Sequence, residues 1–522
     1  MSQLLESEPR LSDLSEDQRN ERFERLQARL VDVWRSMRLN EPGESIVVVP
    51  SVAAPPGDTG AVVQAFEERM LFLLLLLRQP RLQMIFVTGR AVSNAVVDYY
   101  LALLPGVIPS HARGRLHMVA ANDGSPQALC TKLLARPRVL ETIRSRIPDR
   151  ARCHLVPFTT SAAERDLALA LGIPLYGADP RFLPFGTKTG CRRLFSEAGV
   201  AHPLGWEDVA DIDGVVSALA EMRAAKPTVA EAIVKHNDGV AGRGNGVVHL
   251  GGLPAPGSAD EPAALRACVE QIELENEKSD VGEYFAKLCE DGGIVEERIR
   301  GKELRSPSVQ LRVTPLGEVE TLSTHDQLLG GPSGQSYLGC RFPADFAYAR
   351  LITTEAIKVG ERLAREGVLG RFAVDFVVVR DAGESWTPYA IEVNLRKGGT
   401  THPFLTLQFL TDGSYDPVTA LFTAPSGREK HLVATDHLES EKLRGLSVED
   451  LFDVAVRHRM HFDPARQIGV VFHMMSALTE LGRTGMTAVG DTPQQAEQIY
   501  ASAERVLVEE AEPPREPALP AV

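Results

Sequence analysis

The chain has 522 residues, enough for about three or four domains with sizeable cores. Its 56 basic and 70 acidic residues leave a formal net charge of −14, which excludes a broad nucleic-acid-binding face and means that any nucleotide site must gather its cations locally. Six cysteines, at 130, 153, 191, 268, 289 and 340, show no Cys-x-x-Cys spacing, and this usage predicts reduced thiols in a cytoplasmic protein, with Cys340 a packing residue.

Taken in chain order, residues 1–10 lack the apolar core of a secretory signal. Ser15-Glu16-Asp17-Gln18 has capping-box spacing, and Phe23, Leu26, Leu30, Trp34 and Met37 follow at helical intervals. An amphipathic N-terminal helix within residues 1–42 is expected, packed on its own chain or at a homodimer interface. Strand-like stretches at 45–50, 82–88, 116–120 and 154–157 alternate with helical patterns, which predicts a doubly wound α/β domain over 43–185. No Gly-x-Gly-x-x-Gly is present, so no dinucleotide is assigned to it. The apolar run 70–77 is far shorter than the ~20 residues needed to cross a bilayer; it predicts a buried helix segment and no membrane partner.

Four later segments carry chemistry. Gly186-Thr187-Lys188-Thr189 offers a lysine at a turn, without the Gly-x-x-x-x-Gly-Lys-Ser/Thr of a P-loop. Residues 233–248 read as strand, glycine-rich loop and strand; Lys235 ends the first strand, and Gly242 and Gly244 let backbone amides approach phosphate oxygens. Ile294-Val295-Glu296-Glu297-Arg298-Ile299-Arg300-Gly301-Lys302-Glu303 has the make-up of a hinge whose backbone pairs with adenine while Glu303 accepts from ribose hydroxyls. Finally, Ala390-Ile391-Glu392-Val393-Asn394-Leu395-Arg396 alternates so that Glu392, Asn394 and Arg396 share one strand face. An antiparallel partner over 370–379, joined through the turn-rich 381–385, sets Asp375 beside them. Three hard oxygen ligands of this kind suit one or two magnesium ions bridging nucleotide phosphates. Residues 252–262, rich in glycine and proline, read as a surface loop. After Pro425-Ser426-Gly427 a small α/β domain is expected over 428–510, with a helix capped at Thr492-Pro493-Gln494-Gln495, and 511–522 as a disordered tail.

The order of Lys188, Lys235, the acidic hinge, Asp375 and Glu392-Val393-Asn394 resembles the ATP-grasp superfamily. A narrower resemblance, covering residues 45–507, is to the pheganomycin-type peptide ligases. It is carried by Tyr176-Gly177-Ala178-Asp179-Pro180, Gly186-Thr187-Lys188, Ser323-Thr324-His325-Asp326-Gln327 and the run from Asn394 to Pro403. The resemblance implies a pre-ATP-grasp domain, a two-subdomain ATP-grasp domain over 186–427 and a small C-terminal domain. It also implies ATP-dependent carboxylate–amine ligation through an acyl phosphate, with ADP and phosphate released. Lys188, Lys235, Gly242, Gly244, Glu296, Glu297, Ile299 and Glu303 are then the nucleotide contacts, and Asp375, Glu392 and Asn394 the metal ligands for magnesium, two ions by expectation, with manganese an alternative. The D-alanine:D-alanine ligases place an acyl-phosphate arginine where this chain has Ala373, so that role falls to Arg371 or Arg396. His325, Gln327, Thr401 and His402 are candidate substrate contacts, Asp326 stands beside them, and the partners are small-molecule or peptide acids and amines. Two rival readings are an acid:thiol ligase and a non-catalytic ATP-binding module.

Overall fold

The computed structural model describes residues 11–39, 43–52, 59–239, 244–275, 279–330, 334, 336–383 and 385–511. Gly242, the start of the N-terminal segment and all but the first residue of the expected tail lie outside them. The chain divides into two compact units, one formed by residues 1–180, 402–414 and 422–522, the other by 181–401 and 415–421.

In the first unit, β1 (Ser45–Val49), β2 (Gln83–Thr88), β3 (Leu116–Ala120) and β4 (Cys153–Pro157) form a parallel sheet in the order β3-β2-β1-β4. Near-continuous apolar runs in β1 and β2 are what a sheet covered on both faces demands: β1 is wholly buried, and Val47, Ile85 and Leu155 pack with Leu167 and Leu171 of the helix Ala162–Leu171. The Ser15 capping box forms, with the hydroxyl accepting from Gln18 N at 3.2 Å and the Gln18 side chain accepting from Ser15 N at 2.9 Å. Two helices follow, Glu16–Gln27 and Leu30–Leu39, in place of one. Phe23, Leu26 and Leu30 are buried, and Trp34 stacks on Tyr176 with centroids 5.5 Å apart, so this segment packs on its own chain. The apolar run 70–77 is buried as expected but winds as a 3₁₀ helix, Arg69–Arg78.

The second unit holds two sheets. β5 (Gly205–Val209), β6 (Glu231–His236), β7 (Asn245–His249), β8 (Glu273–Leu274) and β9 (Gly293–Glu297) form one in the order β5-β9-β6-β7-β8. β10 (Glu303–Arg305), β11 (Pro307–Val313), β12 (Val319–Gly330), β13 (Ser336–Phe342), β14 (Gly370–Arg380) and β15 (Thr387–Asn394) form the other, in the order β10-β14-β11-β12-β13 with β15 on β14. Val309, Leu311, Phe372 and Val374 are buried on one face of this second sheet, where the helix Phe346–Glu366 packs; the opposite face is left to polar side chains. The loop expected at 252–262 ends early, because Pro262 sits in the first turn of the helix Glu261–Glu270, where a missing N–H costs nothing.

Short strands β16 (Ser414–Asp416) and β17 (Leu421–Thr423) follow. The C-terminal part of the first unit is β18 (His431–Glu439), β19 (Gly469–His473) and β20 (Arg483–Gly490), antiparallel with β20 in the middle, and the helix Pro493–Glu510 packs on β18 and β20. That helix is capped as its sequence predicts, Thr492 Oγ1 accepting from Gln495 N at 3.1 Å. The Gln495 side chain accepts from Asp491 N at 2.6 Å, one residue before the cap.

Candidate functional site

Polar alternation on β14 and β15 puts three oxygen-bearing side chains together. The strands pair antiparallel with Asp375 opposite Glu392 and Ala373 opposite Asn394, and residues directly opposite share a face. Asn394 Nδ2 donates to Asp375 Oδ2 at 3.0 Å, which leaves the amide oxygen free to turn toward a cation. Burial, and after it the facing Glu392 carboxylate, push the Asp375 carboxyl up to about 6, against a Ser308 hydrogen bond and the charges of Arg396 and Lys188. Burial also opposes the charge on Glu392, but Lys188 overrides it and holds the carboxyl below its usual range, with help from Arg396.

Lys188 begins the helix Lys188–Ala198, capped by Thr187, whose hydroxyl accepts from Gly190 N at 3.0 Å. Its Nζ lies 2.7 Å from Glu392 Oε1 and is 7% exposed. Burial disfavours that ammonium, and the Glu392 carboxylate more than restores it, raising the group above its ordinary value. On the other sheet, Lys235 Nζ pairs with Glu296, and both are buried. Arg192, one turn along the helix from Lys188, holds Glu296 at 3.4 Å and Glu207 at 2.7 Å. Each lysine thus closes on an acid, and a polyphosphate entering here would exchange one anionic partner for another.

The acidic hinge divides by face. Glu296 shares its face of β9 with Lys235 on β6, whereas Glu297 points the other way and takes Lys226 at 2.5 Å. The segment between β9 and β10 carries Ile299, half-buried, and Glu303 grips Arg380 through both oxygens at 2.9 and 3.1 Å. Gly244 stands at the start of β7 with φ of +89°, and a Cβ there would meet the His236 ring at 3.2 Å. This is a place where only glycine fits without strain.

The two arginines occupy different surroundings. Arg396 lies beyond the end of β15, and its charge acts on Asp375 and Glu392. Arg371, opposite Arg312 on β11, acts instead on Lys397, whose ammonium burial and Arg371 together push down to about 7.

The candidate substrate contacts separate as well. His325 is fully buried on β12, its Nε2 2.9 Å from Ser323 Oγ and 3.4 Å from Gln310 Nε2; burial pushes it down to about 3. Asp326 is taken by Tyr348 Oη at 2.8 Å and Asp345 N at 3.0 Å. Gln327 is half-buried opposite Cys340. Thr401 donates to Gln310 Oε1 at 3.1 Å and accepts from Gly398 N at 2.9 Å. His402 belongs to the first unit and is buried against Asp436 and His473, with burial pushing its imidazole down to about 4.

Sequence reasoning missed Ser308 and Gln310 on β11. Ser308 lies opposite Asp375 and hydrogen-bonds it, and Gln310 holds both Thr400, at 2.7 Å, and Thr401. The signal was present, since 307–313 alternates polar and apolar like its neighbours. Cys191 was also overlooked: its sulfur accepts from Val393 N at 3.1 Å, tying the lysine helix to the metal strand.

An ATP-grasp family model, described as IQCH-like, matches residues 183–254 and 270–417, and a model of the PGM1 C-terminal domain matches 450–503. The L-propargylglycine–L-glutamate ligase of Streptantibioticus cattleyicolor is 28% identical over 477 residues, covering 87% of this chain and 94% of that protein. The IQ motif-containing protein H of Danio rerio is 25% identical over 392 residues, and the match spans 67% of this chain but 37% of that longer protein. Among solved structures, a nucleotide complex of biotin carboxylase from Campylobacter jejuni superposes with a TM-score of 0.56 at 14% identity, over 91% of this chain and 96% of that one, which shows a shared fold.

Proposed function

We propose that the chain, whose residues 183–254 and 270–417 match an ATP-grasp family model, is an ATP-dependent ligase joining a carboxylate to an amine, through an acyl phosphate, with release of ADP and phosphate. The observation that carries the proposal is the convergence of Asp375, Glu392 and Asn394 on one sheet face, with Lys188 2.7 Å from Glu392. Two carboxylates and an amide oxygen are a hard donor set suited to magnesium, and a buried lysine beside them is suited to phosphate. Magnesium, two ions in this reading and replaceable by manganese, supplies charge neutralisation for phosphoryl transfer. Lys188 and Lys235 take the phosphate charge, and Glu296, held by Arg192, positions Lys235. The hinge 298–302, with Ile299, and Glu303 receive the adenosine end, and Gly244 is assigned to the phosphates. Glu297, bound to Lys226, supports the hinge from its far face.

Arg396 faces the metal acids and is assigned to the acyl phosphate; Arg371 is assigned with Lys397 to the substrate carboxylate. Phosphoryl transfer asks for positioning and electrostatic stabilisation more than covalent help, which fits a site without a reactive nucleophile. Burial pushes the Cys191 thiol up to about 12, so it does not serve as one. Gln327, Thr401 and the Gln310 amide that holds Thr401 are the proposed substrate contacts. The family relative's name indicates amino-acid substrates, and we propose amino acids or short peptides for both acid and amine. Residues 43–185, 186–427 and 428–510 are read as pre-ATP-grasp, ATP-grasp and C-terminal domains. A cytoplasmic location is part of the proposal, in keeping with six free cysteines; among the described residues no helix is long and apolar enough to cross a membrane. A homodimer is part of the proposal, to be checked by light scattering.

Hydroxylamine decides the reaction. Incubated with ATP, magnesium and a panel of amino acids and peptides, the enzyme should yield hydroxamate and ADP in equal amounts, because hydroxylamine intercepts an acyl phosphate. Thioester formation with coenzyme A, or no acid-dependent ADP across the panel, would replace this reading with the acid:thiol ligase or the non-catalytic module.

A further inference from the structure

Three side chains of the first unit converge in its interior. His402 is the second residue of the helix Thr401–Thr411, Asp436 lies on β18 and His473 ends β19. All three are at most 4% exposed. Asp436 Oδ1 lies 2.8 Å from His473 Nε2 and 3.1 Å from His402 Nε2, and the two nitrogens are 3.0 Å apart. The ligand atoms therefore form a nearly equilateral triangle.

Hydrogen bonding alone serves this triangle poorly. If both nitrogens carry protons, two N–H groups crowd each other with their nitrogens 3.0 Å apart; if either does not, its lone pair faces a carboxylate oxygen. A cation at the apex removes the conflict. With bonds of ~2.1 Å, ligand atoms at right angles stand about 3.0 Å apart and tetrahedral ones about 3.4 Å, so the observed edges need little or no adjustment. Asp436 is also held on its outer oxygen by Arg69, at 2.6 Å, which fixes the inner oxygen toward the imidazoles as an outer partner of a metal ligand would. The guanidinium offsets the carboxylate charge, so the ion's affinity must come from imidazole donation, which points away from magnesium and toward a transition-series divalent cation.

We infer that His402, Asp436 and His473 form a binding site for a zinc-like divalent cation, separate from the magnesium ligands and structural in effect. The ion would pin the first turn of the helix after the metal strand to β18 and β19. The inference does not depend on the ligase reading, because it concerns residues that reading does not use.

The test is metal uptake by the untagged full chain, with cobalt(II) as an optical probe and excess magnesium present to fill the Asp375 site. Wild type and Asp375→Asn should each take up one equivalent and show the visible bands of nitrogen-ligated cobalt, and zinc should displace it. His473→Gln should bind on the order of a hundredfold more weakly or lose the bands. Should that variant not fold, X-ray absorption of zinc-loaded wild type decides the matter, with scattering from two imidazoles expected. Failure of wild type to take up cobalt or zinc, equal binding by His473→Gln, or an oxygen-only shell would overturn the inference.

Discussion

Glu392 carries two burdens, and separating them is the sharpest test available at single side chains. As a proposed metal ligand it should be needed for turnover, and as the partner of Lys188 it holds a buried charge in place. Glu392→Gln is expected to lower acid-dependent ADP release by ~10³-fold or more, as loss of preorganised charge does elsewhere, and to destabilise the fold by roughly 1–3 kcal/mol. That is less than the ~3–5 kcal/mol of a fully buried pair, because the Glu392 side chain is 26% exposed. Asp375→Asn should match the loss of turnover without the loss of stability, since it removes a carboxyl that burial already disfavours. Equal melting temperatures for the two variants, or turnover within tenfold of wild type, would count against the assignment. His325 makes a different prediction. The folded protein keeps this imidazole neutral down to about pH 3, whereas in the unfolded chain it takes up its proton near ~6.5. The stability tied to that difference is complete above about pH 6.5 and is lost as the pH falls toward 3, because the unfolded state then binds the extra proton. In urea titrations the stability of wild type relative to His325→Gln should shrink by on the order of 1–3 kcal/mol between pH 7 and pH 4. A constant difference would mean that the ring is solvated. Such an imidazole is too weak a base to deprotonate an amine near neutrality, so the acid limb of the rate profile should not move in the variant.

Among the elements, the turn that delivers Lys188 has little room for change. A Cβ on Gly190 would lie 1.8 Å from the Pro184 carbonyl oxygen and 2.8 Å from its carbon, and both are backbone atoms that cannot swing aside. Gly190→Ala should therefore displace the first turn of the helix, cost roughly 2–4 kcal/mol and raise the KM for ATP at least tenfold. Thr187→Ala removes only the cap and should cost about 1 kcal/mol. Calorimetry and ATP titration rank the two, and an alanine at 190 that melts with wild type would show that the turn is looser than described. How much of these elements could be read beforehand follows from the range of the forces that build them. β14 and β15 were legible because alternation marks each face, and Asp375 and Glu392 meet as expected, although an irregularity between Asp375 and Phe376 shifts the register that the turn sets. The resemblance to pheganomycin-type ligases was legible in the same way, from contiguous motifs. Arg396 was harder, since β15 ends at Asn394 and the two-residue period no longer governs where its guanidinium goes. The pairing of Lys235 with Glu296 joins strands far apart in sequence, and Asp436 and His473 meet only through the strand order β18-β20-β19, with His402 joining them from a helix. His402 was read with the motif that follows β15, as a candidate substrate contact, and nothing in the local sequence linked it to Asp436 or His473.

For the whole molecule, the division into two units assigns the proposed nucleotide ligands to one unit and the inferred cation ligands to the other. Lys188, Lys235, Asp375, Glu392 and Asn394 all fall within 181–401, while His402, Asp436 and His473 fall in the other unit. Hydrogen exchange read by peptide mapping resolves the two without requiring that the units unfold independently. Saturating Mg-ATP stabilises only conformations that bind it, by about 2.7 kcal/mol at a hundred times its Kd, and amides that exchange through openings destroying the site should slow accordingly. Protection of roughly tenfold to a hundredfold is therefore expected in peptides spanning β6, β9, β14, β15 and the helix Lys188–Ala198, with little change across β1 to β4. Zinc should give the complementary pattern, slowing peptides that cover β18, β19 and the helix from Thr401, and leaving β6 and β9 as they were. In Asp375→Asn the nucleotide pattern should vanish and the zinc pattern persist; in His473→Gln the reverse should hold. Nucleotide protection spread evenly over both units would tie the binding energy to the whole chain and withdraw the assignment of the phosphate site to the second unit alone.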